Sequence, residues 1–122
     1  MTEKLRILEA LKGERIKCAY VQVGFFESEW REESNFKNRE VVSLSVGYTT
    51  EQYNTFLEIL NKDSDFRCGE REVYGTIWLD NGYWLYKHKH IEEVMFHSPG
   101  EQDKEWLMRT PPPIPKQLLT NN

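Results

Sequence analysis

Apolar positions along this chain repeat with two periods, and the changes of period mark its elements. Leu5, Leu8 and Leu11 recur at helical spacing with Ile7 beside them; Thr2 can cap that helix and Gly13 can close it. Residues 15–26, RIKCAYVQVGFF, are β-branched and aromatic and read as a strand. Ile16, Cys18, Tyr20 and Gln22 share one side of it, and Lys17, Ala19, Val21 and Val23 the other. Gly24 marks a candidate bulge. Residues 27–38 are polar and aperiodic, which predicts a loop. In 39–48, REVVSLSVGY, the residues Val42, Leu44 and Val46 alternate with Ser43 and Ser45, the pattern of a half-buried strand. Thr49 and Gln52 then have capping-box spacing. Tyr53, Phe56, Leu57 and Leu60 form a helical stripe read as core, which stops near Asn61.

Residues 72–89, EVYGTIWLDNGYWLYKHK, predict a β-hairpin turned at Asn81 and Gly82. A two-residue loop pairs Leu79 with Trp84, Trp78 with Leu85 and Ile77 with Tyr86. One face then holds Val73, Ile77, Leu79, Trp84 and Tyr86. The other holds Tyr74, Thr76, Trp78, Tyr83, Leu85 and Lys87. Both faces are apolar, so a single internal core would not absorb Trp78 and Trp84 together; a second subunit or a flat ligand is the expected cover. Residues 104–109 predict a last short strand. Pro111, Pro112, Pro113 and Pro115 enforce extended backbone across the surface, packed on the tryptophans, and 116–122 form a loose polar tail. The expected architecture is a single α+β domain over 1–122, a mainly antiparallel sheet of about five strands with two helices.

Composition narrows the function classes. In 122 residues, 39% are apolar, 13% aromatic and 30% charged, which suits a globular chain and not a disordered one. No apolar run is long enough for a membrane span, and the N-terminus lacks a signal-peptide pattern, so the expected compartment is the cytoplasm. The formal net charge is −4. A general binder of long nucleic acid needs an excess of cations for phosphate, and this chain lacks one. The acidic residues around Glu27, Glu29, Glu32 and Glu33 read as a solvated loop.

Candidate chemistry is sparse. No nucleophile elbow, phosphate-cradling glycine loop or zinc-protease motif occurs, so the chain reads as non-enzymatic and cofactor-free. Two cysteines, Cys18 and Cys68, are too few for a disulfide scaffold and read as small apolar residues. His88 and His90 have strand spacing for a shared metal, but two histidines in so common a spacing read first as packed or solvated. The combination with most content is aromatic and basic: Tyr74, Trp78 and Tyr83 with Lys87, Lys89 and Arg109. Flat rings stack bases and cations hold phosphate, which suits a nucleotide-sized anion.

The segments Gly75, Thr76, Ile77, Trp78, then Asp80, Asn81, Gly82, Trp84, and later Trp106 and Pro112, Pro113, Ile114, Pro115, resemble a family of small phage-encoded anti-defence proteins. The match is to the first type of anti-Thoeris proteins and covers the C-terminal half. The resemblance implies a non-enzymatic sponge that sequesters a cyclic nucleotide immune signal, such as a cyclic ADP-ribose isomer, between subunits of a homo-oligomer in the bacterial host cell. It implies Arg109 as a phosphate contact and Tyr83 or Trp84 as the stacking ring; Lys87 joins them from the aromatic-plus-basic reading. The stretch HSPGEQDKEW before Trp106 is a looser version of the family's acidic, glycine-bearing segment. The alternative expectation is a protein-binding inhibitor of a host defence complex, anti-CRISPR-like, acting through the acidic loop and exposed aromatics.

Overall fold

The computed structural model describes residues 2–27, 34, 36–63, 71–87, 106–109 and 112–121. It is an α+β arrangement of two helices on an antiparallel sheet. The elements are α1 (Glu3–Leu11), β1 (Ile16–Phe26), β2 (Phe36–Leu44), α2 (Thr50–Ile59), β3 (Glu72–Leu79), β4 (Trp84–Lys87) and β5 (Leu107–Arg109). Four strands of four to eleven residues carry the sheet, and the three-residue β5 extends it, in the order β2-β1-β3-β4-β5.

Local chemistry explains the helices. Thr2 Oγ1 accepts the Leu5 amide, and α1 ends with Lys12 and Gly13 both at positive φ. The α2 capping box is complete: Thr49 Oγ1 accepts the Gln52 amide at 3.1 Å, and Gln52 Oε1 accepts the Thr49 amide at 2.9 Å. Backbone bonds from Glu3 N to Lys62 O and from Lys4 N to Leu60 O tie the two helices together. Their apolar stripes, Ile7 and Leu11 with Phe56, Leu57 and Leu60, meet Ile16, Ala19, Val21, Val42, Leu44, Val73, Ile77, Leu79 and Leu85 of the sheet in one core. Each fully buried aliphatic or aromatic side chain there contributes about 1.5–3 kcal/mol.

Two irregularities in β1 redistribute its side chains. The register shifts between Ile16 and Cys18, so Ile16 joins the helix-covered core while Cys18 lies in a separate cluster with Trp78. The expected grouping of Ile16 with Cys18 is corrected by that bulge. A second shift, between Val23 and Phe25, falls at Gly24, as the glycine predicts. A Cβ at Gly24 would lie 2.7 Å from Lys37 O and from the Phe36 ring, so the close approach of β2 requires glycine.

β2 begins earlier than its apolar alternation suggests and ends at Leu44. Phe36, Lys37 and Asn38, expected in the loop, belong to the strand; Phe36 pairs with Phe26, Lys37 with Phe25 and Glu40 with Val23, while Asn38 and Arg39 fall at the register shift. Residues 45–48 turn instead, with Gly47 at φ +86 and the Tyr48 amide bonded to Ser45 O. Polar residues are tolerated at 37–40 because β2 is the outer strand of the sheet.

The hairpin register also differs from expectation. Trp78 pairs with Trp84, Ile77 with Leu85, Thr76 with Tyr86 and Gly75 with Lys87. The Leu79 amide bonds to Tyr83 O at 2.9 Å, which leaves a three-residue loop, Asp80, Asn81 and Gly82. Within that loop only Gly82 has positive φ, at +90°, whereas a type I′ turn would need Asn81 there as well. Asn81 Oδ1 instead accepts the Tyr83 amide. The one-residue shift moves the whole of β4 to the other side of the sheet. Trp78, Trp84 and Tyr86 therefore share one face, while Leu85 and Lys87 join Ile77 on the helix side.

The C-terminal tail is docked as well. Pro115 leads into a 3₁₀ turn at Lys116–Leu118, Leu118 is 3% exposed, and Asn121 bonds Gly47 O and Gln52. A single buried leucine and one amide hold a segment whose composition alone reads as loose. The proline segment packs on tryptophan as expected: Trp78 Nε1 donates to Pro112 O at 3.1 Å.

Candidate functional site: the aromatic sheet face

The face turned away from the helices is built by strand alternation from every strand except β5, whose contribution is a register position. One cross-strand row runs Ser43, Tyr20, Thr76, Tyr86; another runs Cys18, Trp78, Trp84; a third runs Val41, Gln22, Tyr74. Tyr20, Gln22, Tyr74, Thr76, Trp84 and Tyr86 are all half-buried, and Val41 is 46% exposed. The rings of Trp84 and Tyr86 stack at 5.1 Å between centroids with 29° between planes. Tyr74 Oη donates to Gln22 Oε1 at 3.0 Å, which fixes both side chains. At the far end Phe36 meets Tyr74 edge-on at 5.3 Å, and the Arg39 guanidinium lies 5.3 Å from the Phe36 ring centre. Burial pushes the Tyr74 phenol up, opposed by nearby Arg39, so this hydroxyl keeps the proton it donates to Gln22.

The candidate residues fall into three positions. Trp84 sits in this face, and Arg109 of β5 stands at the register position opposite it. Tyr83 lies at the edge of the hairpin loop and is 52% exposed. Lys87 points the other way. It is 5% exposed, and its Nζ donates to Glu3 Oε1 at 2.6 Å. Glu3 is fully buried and also accepts from Arg6 Nη1 at 2.8 Å and from Trp106 Nε1 at 3.2 Å. Desolvation lowers the Lys87 pKa, and the Glu3 carboxylate opposes that shift. The assignment of Lys87 to a ligand surface is therefore corrected: it anchors α1 to β4 inside the core. The acidic loop, apart from Glu27, and the histidines at 88, 90 and 97 lie outside the described residues. Cys18 is buried on the aromatic side of β1, and burial pushes its thiol up to about 11, which makes it inert at neutral pH.

Sequence reasoning missed Tyr20, Gln22 and Tyr86 as partners of Trp84. The alternation of β1 already set Tyr20 and Gln22 on one side. Placing them beside Trp84 required the hairpin register, which the loop residues do not determine. Among the described residues no cluster of three histidine, cysteine or acidic side chains could hold a metal ion. No described helix is long and apolar enough to cross a membrane.

What the face can do is stack planar groups and accept hydrogen bonds from them along a strip of rings, with arginine positions at two ends. Comparison of the chain with family models, with curated proteins and with solved structures gave no match.

Proposed function

We propose that this chain is a non-catalytic binding protein that sequesters a cyclic nucleotide of the cyclic ADP-ribose type. A base stacks on the Trp84 and Tyr86 rings, Arg109 meets a phosphate, and a second copy of the chain closes over the ligand. The observation that carries the reading is the tyrosine and tryptophan strip left half-buried on one side of the sheet while the other side packs with both helices into the main core. Stacking on such rings contributes about 1–3 kcal/mol per base. An exposed Tyr83 at the rim can contact ribose or a second base. The phage and anti-defence setting follows from the resemblance of the hairpin and proline segment. Lys87 has no part in binding.

The test is retention without chemistry. Purified protein is mixed with cyclic ADP-ribose isomers and a panel of cyclic di- and mononucleotides, and free ligand is measured before and after heat denaturation. Loss of free ligand followed by recovery of the unaltered compound supports sequestration. Conversion to a new product would replace the reading with an enzymatic one. Absence of depletion across the panel would remove it in favour of protein binding. Native mass measurement tests the oligomer, and a monomer in the ligand-bound state contradicts closure by a second copy.

A further inference from the structure

Among the described residues, the chain's own 112–121 cover one end of the aromatic face. Ile114 and Leu118 pack on Cys18 and Trp78, with Tyr20, Val46 and Trp84 around them. Five polar contacts fasten the segment, one of them from Gln52 Nε2 to Asn121 Oδ1 at 3.3 Å. Trp78 Nε1 donates to Pro112 O at 3.1 Å, and the Val46 amide donates to Leu118 O at 2.8 Å. Asn121 Nδ2 donates to Gly47 O at 3.2 Å and to Gln52 Oε1 at 3.0 Å. Pro112, Pro113, Lys116, Gln117, Leu119 and Thr120 are exposed, so Leu118 is the one fully buried side chain of the segment. Its hydrogen bonds to a helix, among the described residues, are made with Gln52 near the α2 N-terminus.

Beneath this cover the packing is imperfect in one respect. Trp84, which packs against the same cluster, has its Nε1 buried without a hydrogen-bond partner among the described residues. An unmade buried donor is a free-energy cost carried by the closed arrangement and relieved by water on opening. Weak fastening above and an unsatisfied donor below are the physical ingredients of a local opening that leaves the rest of the fold intact.

We propose that residues 112–121 form a detachable strap, which opens while the sheet and helices stay folded. Opening bares Trp78 and Cys18 and joins them to Tyr20, Trp84 and Tyr86 in one continuous aromatic surface. The strap thereby sets how much ring area a ligand meets. That functional consequence rests on the nucleotide reading; the opening does not, and its test uses no ligand.

In Cys68→Ser protein the buried Cys18 is the single thiol and reports opening through its reaction rate with a disulfide reagent under native conditions. Leu118→Ala is expected to raise that rate by about 30-fold, from the loss of its one buried anchor. Leu57→Ala, which weakens only the helix-covered core, is expected to leave it unchanged. Equal acceleration by both variants would mean that Cys18 is reached only by global unfolding, and the strap proposal falls. Hydrogen exchange on the unaltered protein gives a second reading. The Val46 amide and the Trp78 indole should exchange about 100-fold faster than the Val21 and Ile77 amides. Equal protection of all four overturns the proposal even if Leu118→Ala fails to fold. A strap that opens in a protein that binds no nucleotide would leave this inference standing and remove only the proposed function.

Discussion

The two faces of one sheet have opposite designs. The helix side is closed mainly by aliphatic and phenylalanine side chains, with Trp106 among them, and holds at the α1 end a buried carboxylate that accepts from Arg6, Lys87 and Trp106. The other side carries tyrosine and tryptophan, each with a polar group, and among the described residues the strap covers one end of it. The same strands supply both, with side chains alternating between them. The difference teaches that the helix side holds most of the core, whereas the aromatic side buries a small cluster at Cys18, Trp78 and Leu118 and leaves its other rings half-buried. Those half-buried rings are the residues available for recognition.

The contrast is broken most severely at Glu3. Replacing it by alanine leaves the buried Lys87 ammonium without its carboxylate and is expected to destabilise the protein by about 3–5 kcal/mol in urea unfolding. Replacing Glu3 by leucine and Lys87 by methionine together should recover part of that loss, since the buried ammonium is removed with its carboxylate and Arg6, which also bonded Glu3, reaches solvent. A double variant no more stable than Glu3→Ala would show that the ion pair is not the reason for the effect.

Next in size is a pair of truncations across the sheet. Leu60→Ala, on the fully buried α2 stripe, is expected to cost about 2–5 kcal/mol by thermal or urea unfolding. Tyr86→Ala, on the half-buried aromatic side, should cost less, about 1 kcal/mol, because its side chain is not fully withdrawn from water. Comparable losses at the two positions would mean that the aromatic side is core, and the distinction between the faces would collapse.

A smaller effect sharpens the picture at the covered end of the aromatic face. The Cys18 thiol lies near 11 when folded against an ordinary value of 9.0, so the unfolded chain loses its proton first as pH rises. Stability should therefore be fully held below pH 9 and fall by about 2 kcal/mol by pH 11 from this group. Tyr53 and Tyr74, also raised by burial, act in the same direction, while Lys87, lowered by burial, acts in the opposite one. Comparing the pH slope of wild type with that of Cys18→Ala isolates the thiol. Parallel slopes would mean that the strap leaves the thiol wet.

The parts of this division that are local in origin are legible in the sequence. The α2 helix follows from Thr49, Gln52 and a four-residue stripe, and β1 from its β-branched run with a glycine at the bulge. The parts that depend on distant residues are not. Asp80, Asn81 and Gly82 are compatible with a loop of two residues or of three, and choosing between them decides the face of Trp84. Lys87 reads as a surface cation because its partner, Glu3, lies 84 positions away. The tail reads as loose because one leucine gives no periodic signal. The start of β2 is hidden by the polar residues that an outer strand tolerates. The candidate site is therefore half legible: Tyr74, Trp78 and Trp84 stand out in the sequence, while the face they share with Tyr20 and Tyr86 depends on the hydrogen bond between Leu79 and Tyr83.

The most direct test of the central claim is nucleotide binding by Trp84→Ala and Tyr86→Ala, measured by calorimetry with cyclic ADP-ribose isomers beside urea unfolding of the same proteins. Wild type should bind saturably. Each variant should weaken binding by about 1–3 kcal/mol, roughly 5- to 150-fold in Kd, while Tyr86→Ala keeps nearly all its stability. Undiminished binding in both variants, or no binding by wild type, would contradict the assignment of the aromatic face as the recognition surface.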